Sequence, residues 1–189
     1  MNFSLYYPPN LVAIYLFTEI FVLLFKRADK YADKRDDGSL QLMVLVIWVS
    51  LGLGRLVAVT LPQARVAILQ HMALAGVLLF FAGLVMRWVP IVHLGRFFTI
   101  QVAITSGHEL VEGGLYRLVR HPSYAGLLLM FLGVGICSGN VLTLLVITVP
   151  IFLVIRHRIG IEEAALCDAF GDRYANYMRK TKRLIPLLY

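Results

Sequence analysis

Long apolar runs separated by short polar links dominate the first half of the chain. The runs cover residues 6–25, 40–61 and 66–89. Each run is close to the roughly 20 residues that an α-helix needs to cross about 30 Å of hydrocarbon. The pattern predicts three membrane-spanning helices, joined by a charged loop over 26–38 and a short link over 62–65.

A second apolar block covers 122–155 and is interrupted in its middle by Gly139 and Asn140. This pattern predicts a helical hairpin whose turn lies at that pair. Pro122 suits the first turn of the first arm, where a missing N–H costs no hydrogen bond, and Pro150 is expected to kink the second arm. Each arm is short for a full span, so five complete spans and three spans plus a re-entrant hairpin both remain open.

Two further segments are only partly apolar. Residues 98–105 alternate between apolar and polar or small side chains, which predicts extended chain, and glycines at 107, 113 and 114 break any longer element. Between 160 and 180 an i+4 recurrence predicts one helix of cytosolic character with a partly apolar face. The residues on that face are Glu162, Leu166, Phe170, Tyr174 and Met178.

Composition and charge strengthen the membrane interpretation. The chain is 59% hydrophobic and 15% charged, with a mean hydropathy of +0.77 and a net charge of +7. A soluble fold of this size could not bury so much apolar surface, and the cations lie between apolar runs, which argues against nucleic-acid binding. We therefore expect an all-α integral membrane protein with about five transmembrane helices, divided into regions 1–89 and 90–189.

The distribution of cations predicts the orientation. With the N-terminus outside, sixteen Lys or Arg residues, with Arg87 and Arg158 among them, fall in the inner loops and tail, and Arg65 alone falls outside. The C-terminus is then cytosolic. Glu19 and Arg55 lie inside the first and second spans, where charges are costly, and are expected to form a structural pair. Cys137 and Cys167 fall on opposite sides of the bilayer, without a disulfide or metal-ligand spacing.

Two polar strings are candidates for chemistry. The first, over 108–126, ends at the start of the predicted hairpin, where a helix N-terminus offers free N–H donors to a carboxylate or phosphate. Physical grounds alone slightly favour a simpler role, because Arg and Tyr commonly anchor proteins at headgroup level. The second string covers 158–186, and its Glu162–Glu163 pair, taken alone, is better explained as the solvated first turn of a helix.

The two strings contain an ordered set of short motifs. Leu94-Gly95-Arg96-Phe97-Phe98-Thr99 is followed by a Gly-x-Tyr…Arg-His-Pro-x-Tyr-x-Gly pattern at Gly114, Tyr116, Arg120, His121, Pro122, Tyr124 and Gly126. The Glu162–Glu163 pair and a Phe-Gly-x-x-Tyr-x-x-Tyr…Pro tail over 170–186 come next. Over roughly 94–186 the chain therefore resembles the isoprenylcysteine carboxyl methyltransferase family, within a superfamily that also includes phospholipid N-methyltransferases.

The resemblance implies an S-adenosylmethionine site at the inner membrane face and a tunnel that admits a lipophilic or prenylated substrate from the bilayer lipids. Region 90–189 would be catalytic, with a cofactor-binding segment, the hairpin and a C-terminal helix. The implied cofactor-binding residues are His108, Leu110, Val111, Gly114, Tyr116, His121, Pro122, Tyr124 and Glu162. The implied catalytic residues are Arg158, Glu163 and Arg173, and no metal is expected.

The reaction that the resemblance implies is carboxyl O-methylation of a substrate like a prenylated cysteine. An ionised carboxylate needs no general base, so Arg158 or Arg173 would orient it. A phenolic lipid, a thiol or a phospholipid amine is an alternative acceptor, and Glu163 or His121 could deprotonate a phenol or an amine. A nicotinamide-dependent membrane reductase and a non-catalytic scaffold are the other interpretations.

Overall fold

The computed structural model of the protein describes residues 9–25, 33–34, 38–95, 103–104, 110–186 and 189. Seven helices account for most of them. Their bounds are α1 Pro9–Phe25, α2 Ser39–Thr60, α3 Ala67–His71, α4 Ala73–Leu94, α5 Pro122–Cys137, α6 Val141–Phe170 and α7 Asp172–Lys180. Two-residue strands, β1 Asp33–Lys34 and β2 Ala103–Ile104, pair antiparallel, so the described part of the segment predicted to be extended is extended.

Three of the helices, α2, α4 and α6, are long and apolar enough to cross a membrane, and α1 and α5 are shorter apolar helices. Large apolar side chains point outward along these helices, with Phe17 at 74% and Leu74 at 70% exposure. Outward apolar surface on this scale is typical of helices solvated by lipid. The predicted all-α membrane fold is confirmed.

Helices α4 and α5 pack antiparallel through glycines. Gly76 faces Gly133 and Gly83 faces Gly126, so the facing glycines recur every seven residues on each helix. A Cβ at Gly126 would lie 2.6 Å from the Gly83 carbonyl oxygen and 2.5 Å from the Arg87 nitrogen. Small residues let helix backbones approach closely where lipid supplies no hydrophobic driving force. Helix α5 is consequently buried on most of its surface.

The predicted hairpin is confirmed as α5 and α6, although α6 continues to Phe170, well past the predicted end at 155. Asn140 caps α6 by accepting a hydrogen bond from the Thr143 N–H at 3.0 Å, and its side-chain amide donates to the Leu61 carbonyl at 2.9 Å. The Val66 N–H donates to the Gly139 carbonyl at 3.0 Å. The hairpin turn therefore lies level with the link between α2 and α3, and α6 then packs along α2 through Gly54 and Ile147.

Several other helix boundaries differ from the prediction. The run over 66–89 is not one helix, because the chain breaks at Met72 between α3 and α4, and α4 continues past Pro90 to Leu94. The single helix expected over 160–180 is also wrong. Helix α6 ends at Phe170, Gly171 adopts φ +53°, and α7 begins at Asp172. Glycine tolerates this left-handed region, and the chain reorients there.

The expected pairing of Glu19 with Arg55 is wrong. Glu19 instead accepts two hydrogen bonds from Arg87, at 2.5 Å from Nε and 2.8 Å from Nη2, and Arg87 Nη1 donates to Ser123 Oγ at 3.1 Å. The charge pattern places Arg87 among the inner-loop cations, but the structure buries its side chain within α4. The bidentate pair joins α1 to α4 and, through Ser123, to the start of α5.

Candidate functional site

The candidate site lies at the start of α5, where the Arg-His-Pro motif meets α6. Pro122 occupies the first turn of α5, so His121 precedes the helix in a non-helical conformation. The His121 side chain is buried between two carboxylates, with Nε2 3.2 Å from Glu163 Oε1 and Nδ1 3.9 Å from Glu162 Oε1. Glu162 and Glu163 are consecutive on α6, yet Glu162 is 33% exposed and Glu163 only 6%.

Glu163 is held by side chains from two segments, the Arg-His-Pro motif and the chain after α7. Its Oε1 accepts a hydrogen bond from Arg120 Nε at 2.9 Å and contacts His121 Nε2. Its Oε2 accepts hydrogen bonds from Arg183 Nε at 2.9 Å and Nη2 at 2.6 Å. A carboxylate with both oxygens occupied in this way is a strong structural anchor. We call Glu163 with Arg120, His121 and Arg183 the Glu163 clamp.

Backbone hydrogen bonds hold the chain after α7 against the Arg-His-Pro motif. Val119 and Lys182 form a parallel bridge, and the N–H groups of Arg120 and His121 donate to the carbonyls of Lys182 and Arg183 at 2.8 and 3.0 Å. Arg120 Nη1 also donates to the Met178 carbonyl at 3.1 Å and to the Thr181 carbonyl. The segment 181–183 therefore lies beside the motif as a strap, which fixes the backbone of residues 119–121.

A second wall of the site comes from the residues before the motif. Gly114–Arg117 form a short 3₁₀ turn in which Gly114 has φ +59°, and the Tyr116 ring stacks on His93 with centroids 6.4 Å apart. The Tyr177 hydroxyl donates to the Tyr116 carbonyl at 2.6 Å. Burial, reinforced by the negative charge of Glu162, raises the pKa of Tyr116 well above its usual value, so the phenol stays neutral.

Arg158 lies one turn before Glu162 on α6 and is almost fully buried. Its Nε donates to the Tyr124 hydroxyl at 2.8 Å, and its Nη1 donates to Ser39 Oγ at 2.6 Å. Ser39 is the first residue of α2, so this contact joins the beginning of α2 to α5 and α6. A buried guanidinium at this depth places a fixed positive charge beside Tyr124 and within two turns of the Glu163 clamp.

The structure brings most of the predicted site residues into two neighbouring groups. His121, Pro122, Tyr124, Arg158, Glu162 and Glu163 meet where α5 and α6 come together, and Leu110, Val111, Gly114 and Tyr116 form the adjoining segment. Arg173 belongs to neither group but contacts the second one from its exposed side. It is 60% exposed, 3.4 Å from Glu112 and hydrogen bonded to the Leu110 carbonyl at 3.3 Å. His108 lies outside the described residues.

Sequence reasoning did not name Arg183, Ser39 or His93 as site residues, and it quoted Arg120 only as part of a motif. Arg183 could have been found, since it precedes the Leu-Ile-Pro end of the tail motif. Ser39 and His93 carry no local signal, because their importance comes from contacts across the fold. Within the described residues, no group of three His, Cys, Asp or Glu side chains is placed to hold a metal ion.

The donor set suits an adenosylsulfonium cofactor. The half-exposed Glu162 carboxylate could take an ammonium or ribose hydroxyls, and the neutral Tyr116 ring offers an aromatic face for adenine or a sulfonium. Glu162 lies beside the buried His121, which contacts Glu163 on its other ring nitrogen. The residues present therefore fit such a group by their chemistry.

An apolar helix bundle with a buried cluster of ionic side chains at one end defines a multi-spanning membrane protein with a polar site at that end of the bundle. Residues 74–168, half of the chain, match the sequence model of the Isoprenylcysteine carboxyl methyltransferase (ICMT) family. The chain belongs to this family. The match begins within α4 and includes the Arg-His-Pro motif, the hairpin and the Glu162–Glu163 pair.

Curated relatives carry names from the same family. A protein-S-isoprenylcysteine O-methyltransferase of Schizosaccharomyces pombe is 36% identical over 108 residues, 56% of this chain and 46% of that protein. A probable protein-S-isoprenylcysteine O-methyltransferase of Oryza sativa subsp. indica is 32% identical over 115 residues, 60% of each. The chain thus spans about 46 to 60% of the length of these two relatives.

A solved structure has the same fold. It is described as the eukaryotic intramembrane Ras methyltransferase ICMT without a monobody, and it superposes with a TM-score of 0.68 at 22% sequence identity. The alignment covers 94% of this chain and 64% of that one. The helical fold is therefore shared with that intramembrane protein.

Proposed function

We propose that the chain is an S-adenosylmethionine-dependent methyltransferase that acts on a lipophilic acceptor at the inner membrane face. The acceptor we propose is the carboxylate of a prenylated cysteine. The observation that carries the proposal is the arrangement of His121, Glu162 and Tyr124 around the start of α5, beside the buried Arg158, in a chain of this family. Family membership favours this function over a reductase or a scaffold.

The cofactor, when bound, supplies an electrophilic methyl group whose transfer converts a sulfonium to a thioether and a carboxylate to an ester. The chain's residues would bind and align the partners. Glu162 would hold the ammonium or hydroxyls, and Tyr116 would contact the adenine or sulfonium. His121 and the first N–H groups of α5 would hold the polar ends. Burial of the site would remove water from the reacting atoms.

The Glu163 clamp supports a carboxylate acceptor over a phenol or an amine. Those two acceptors need a base, but both Glu163 oxygens are engaged by cationic groups, and His121 lies between two carboxylates. A carboxylate acceptor is ionised at neutral pH and requires no proton removal. We therefore assign Glu163 to positioning His121 and the strap, and not to proton transfer.

For orientation of the acceptor we favour Arg158 over Arg173. Arg158 is buried at the junction of α2, α5 and α6, whereas Arg173 is 60% exposed and contacts the 110–112 segment. A positive charge attracts an anion more strongly where water is excluded. We expect Arg158→Lys to raise the acceptor KM and lower turnover, while Arg173→Lys leaves both close to wild type.

The test is calorimetric titration of S-adenosylmethionine into detergent-purified protein. Wild type should bind saturably, and Glu162→Ala and His121→Ala should weaken binding. Glu112→Ala is the matched control, because Glu112 is a carboxylate on the adjoining segment whose partner is the exposed Arg173. Absence of binding by folded wild type would refute the cofactor assignment, and a reduced nicotinamide cofactor would then be titrated into the same sample.

The acceptor is tested with a farnesylated cysteine that bears a free carboxylate and with its amide. The proposal predicts a methyl ester from the acid and no product from the amide. Methylation of a phenolic lipid or a phospholipid amine, with the farnesylated acid unreacted, would overturn the choice of acceptor while leaving the methyltransferase class intact.

A further inference from the structure

A basic cavity of about 270 Å³ is lined by the strap, the end of α7 and Arg120. Arg120 and Arg183 form its inner wall, and these are two of the cations that hold Glu163. The remaining described lining residues come from the end of α7 and the strap. They are Met178, Arg179, Lys180, Thr181, Lys182 and Tyr189.

The charge of this cavity is unbalanced. Five of its described lining residues are cationic, and none is acidic. Glu163 lies behind the wall and carries one negative charge, while Arg120 and Arg183 both donate to it. Lys180 and Lys182 are exposed at the rim. A concave surface with several excess positive charges attracts an anion with several acceptor oxygens.

Exposed apolar side chains beside the cavity indicate that the anion is attached to an apolar group. Leu118 is 57% exposed and precedes Val119, which pairs with Lys182. Ile185 is 49% exposed, and its N–H donates to the Tyr189 carbonyl at 2.7 Å. The Tyr189 ring, which lines the cavity, packs against Phe152 of the membrane-spanning α6 with centroids 6.2 Å apart. The cavity thus opens beside apolar surface that continues onto a membrane helix.

We propose that this cavity binds the headgroup of an anionic phospholipid. The phosphate would meet Lys180, Lys182 and the outer edge of Arg183, and the acyl chains would run past Leu118 and Ile185 along α6. A soluble anion would gain nothing from the exposed apolar residues, whereas a lipid uses both surfaces. The cavity shares Arg120 and Arg183 with the Glu163 clamp, but none of the proposed cofactor ligands lines it, and the inference does not depend on the methyltransferase function.

The experiment measures binding of a fluorescent phosphatidylglycerol to the full chain in phosphatidylcholine nanodiscs. The test variant is Lys180→Gln/Lys182→Gln, which spares the Glu163 clamp. The matched control is Arg117→Gln/Arg156→Gln, which removes two exposed cations that do not line the cavity. The test variant should bind phosphatidylglycerol about 25-fold more weakly than wild type. This value assumes a loss of about fivefold for each of the two cations removed near an anionic lipid. The control should stay within about twofold.

Two outcomes overturn the proposal. Equal weakening by both double variants would mean that general surface charge attracts the lipid. Displacement of phosphatidylglycerol by inorganic phosphate at equal concentration would indicate a site for a small soluble anion. Titration of S-adenosylmethionine into the same nanodiscs tests the proposed function independently, since Lys180 and Lys182 are not among the proposed cofactor ligands.

Discussion

Glu163 shows how one residue can hold three separate segments. Its buried carboxylate joins α6 to the Arg-His-Pro motif and to the strap after α7. Removing one member of a buried, hydrogen-bonded ion cluster leaves the remaining charges uncompensated, which costs far more than losing an exposed pair. The residue therefore contributes to the site by fixing the positions of its neighbours.

We predict that Glu163→Gln lowers the free energy of unfolding by about 3 kcal/mol, because Arg120 and Arg183 lose their shared counter-charge. Thermal unfolding in detergent measures this. The control is Glu112→Gln, where both partners are at least 40% exposed and the loss should stay below about 1 kcal/mol. Similar losses in the two variants would contradict the clamp.

Tyr177 gives a prediction for alkaline pH. Burial raises its pKa from the ordinary 10.0 to about 12, so its protonated form is favoured in the folded state. This contribution to stability is complete below pH 10 and is lost as pH rises through about 12. The free energy of unfolding, measured between pH 10 and pH 12, should fall more steeply with pH for wild type than for Tyr177→Phe.

Near neutral pH the same variant should be less stable by about 1 kcal/mol, because the hydrogen bond from Tyr177 to the Tyr116 carbonyl is lost. An alkaline unfolding curve with the same slope in both proteins would show that Tyr177 does not titrate differently on folding.

At the scale of elements, the close approach of α4 and α5 depends on glycine. We predict that Gly126→Ala lowers the free energy of unfolding by about 2 kcal/mol, because the new methyl group overlaps the backbone of α4. Gly52→Ala is the matched control, since this helical glycine has open space at its Cβ. Its stability should be unchanged or raised by up to about 1 kcal/mol. Equal effects would contradict the packing.

The contact between α1 and α4 yields a second prediction at this scale. Glu19→Gln should destabilise the protein by about 3 kcal/mol, since Arg87 is left buried without its counter-charge. The double variant Glu19→Gln/Arg87→Met removes both charges and should recover part of the loss. Thermal unfolding of wild type, the two single variants and the double variant measures the coupling energy between Glu19 and Arg87. If the stability losses of the two single variants simply add up in the double variant, the two residues are not coupled.

At the scale of the whole molecule, the charge distribution predicts that the C-terminus faces the cytosol. Two of the sixteen cations counted as inner, Arg87 and Arg158, are buried in the bundle, which leaves a strong asymmetry. In a variant lacking Cys137 and Cys167, Lys182→Cys should react with an impermeant maleimide only after the membrane is opened. Gln63→Cys, in the opposite link, should react in intact cells. The reverse result would invert the topology.

Periodicity and length were sufficient to predict the bundle. Apolar runs of span length, the Gly139-Asn140 turn and Pro122 at a helix start depend on local chain properties, and the structure has α2, α4 and the α5–α6 hairpin where they indicated. The site motifs were also visible, because their residues are close together in the chain. The helix breaks at Met72 and Gly171 were not predicted, because at each place the backbone conformation of one residue decides whether the helix continues.

By itself, the sequence determined an all-α membrane fold, the hairpin and the family resemblance, because hydrophobic length and ordered motifs are local properties. Only the tertiary structure decided which charges meet. Glu19 pairs with Arg87 and not with Arg55, and Glu163 forms ion pairs with Arg120 and Arg183. Pairing inside a bundle depends on which helix faces are brought within hydrogen-bond distance, and the glycine contacts that set those distances act between residues far apart in the chain.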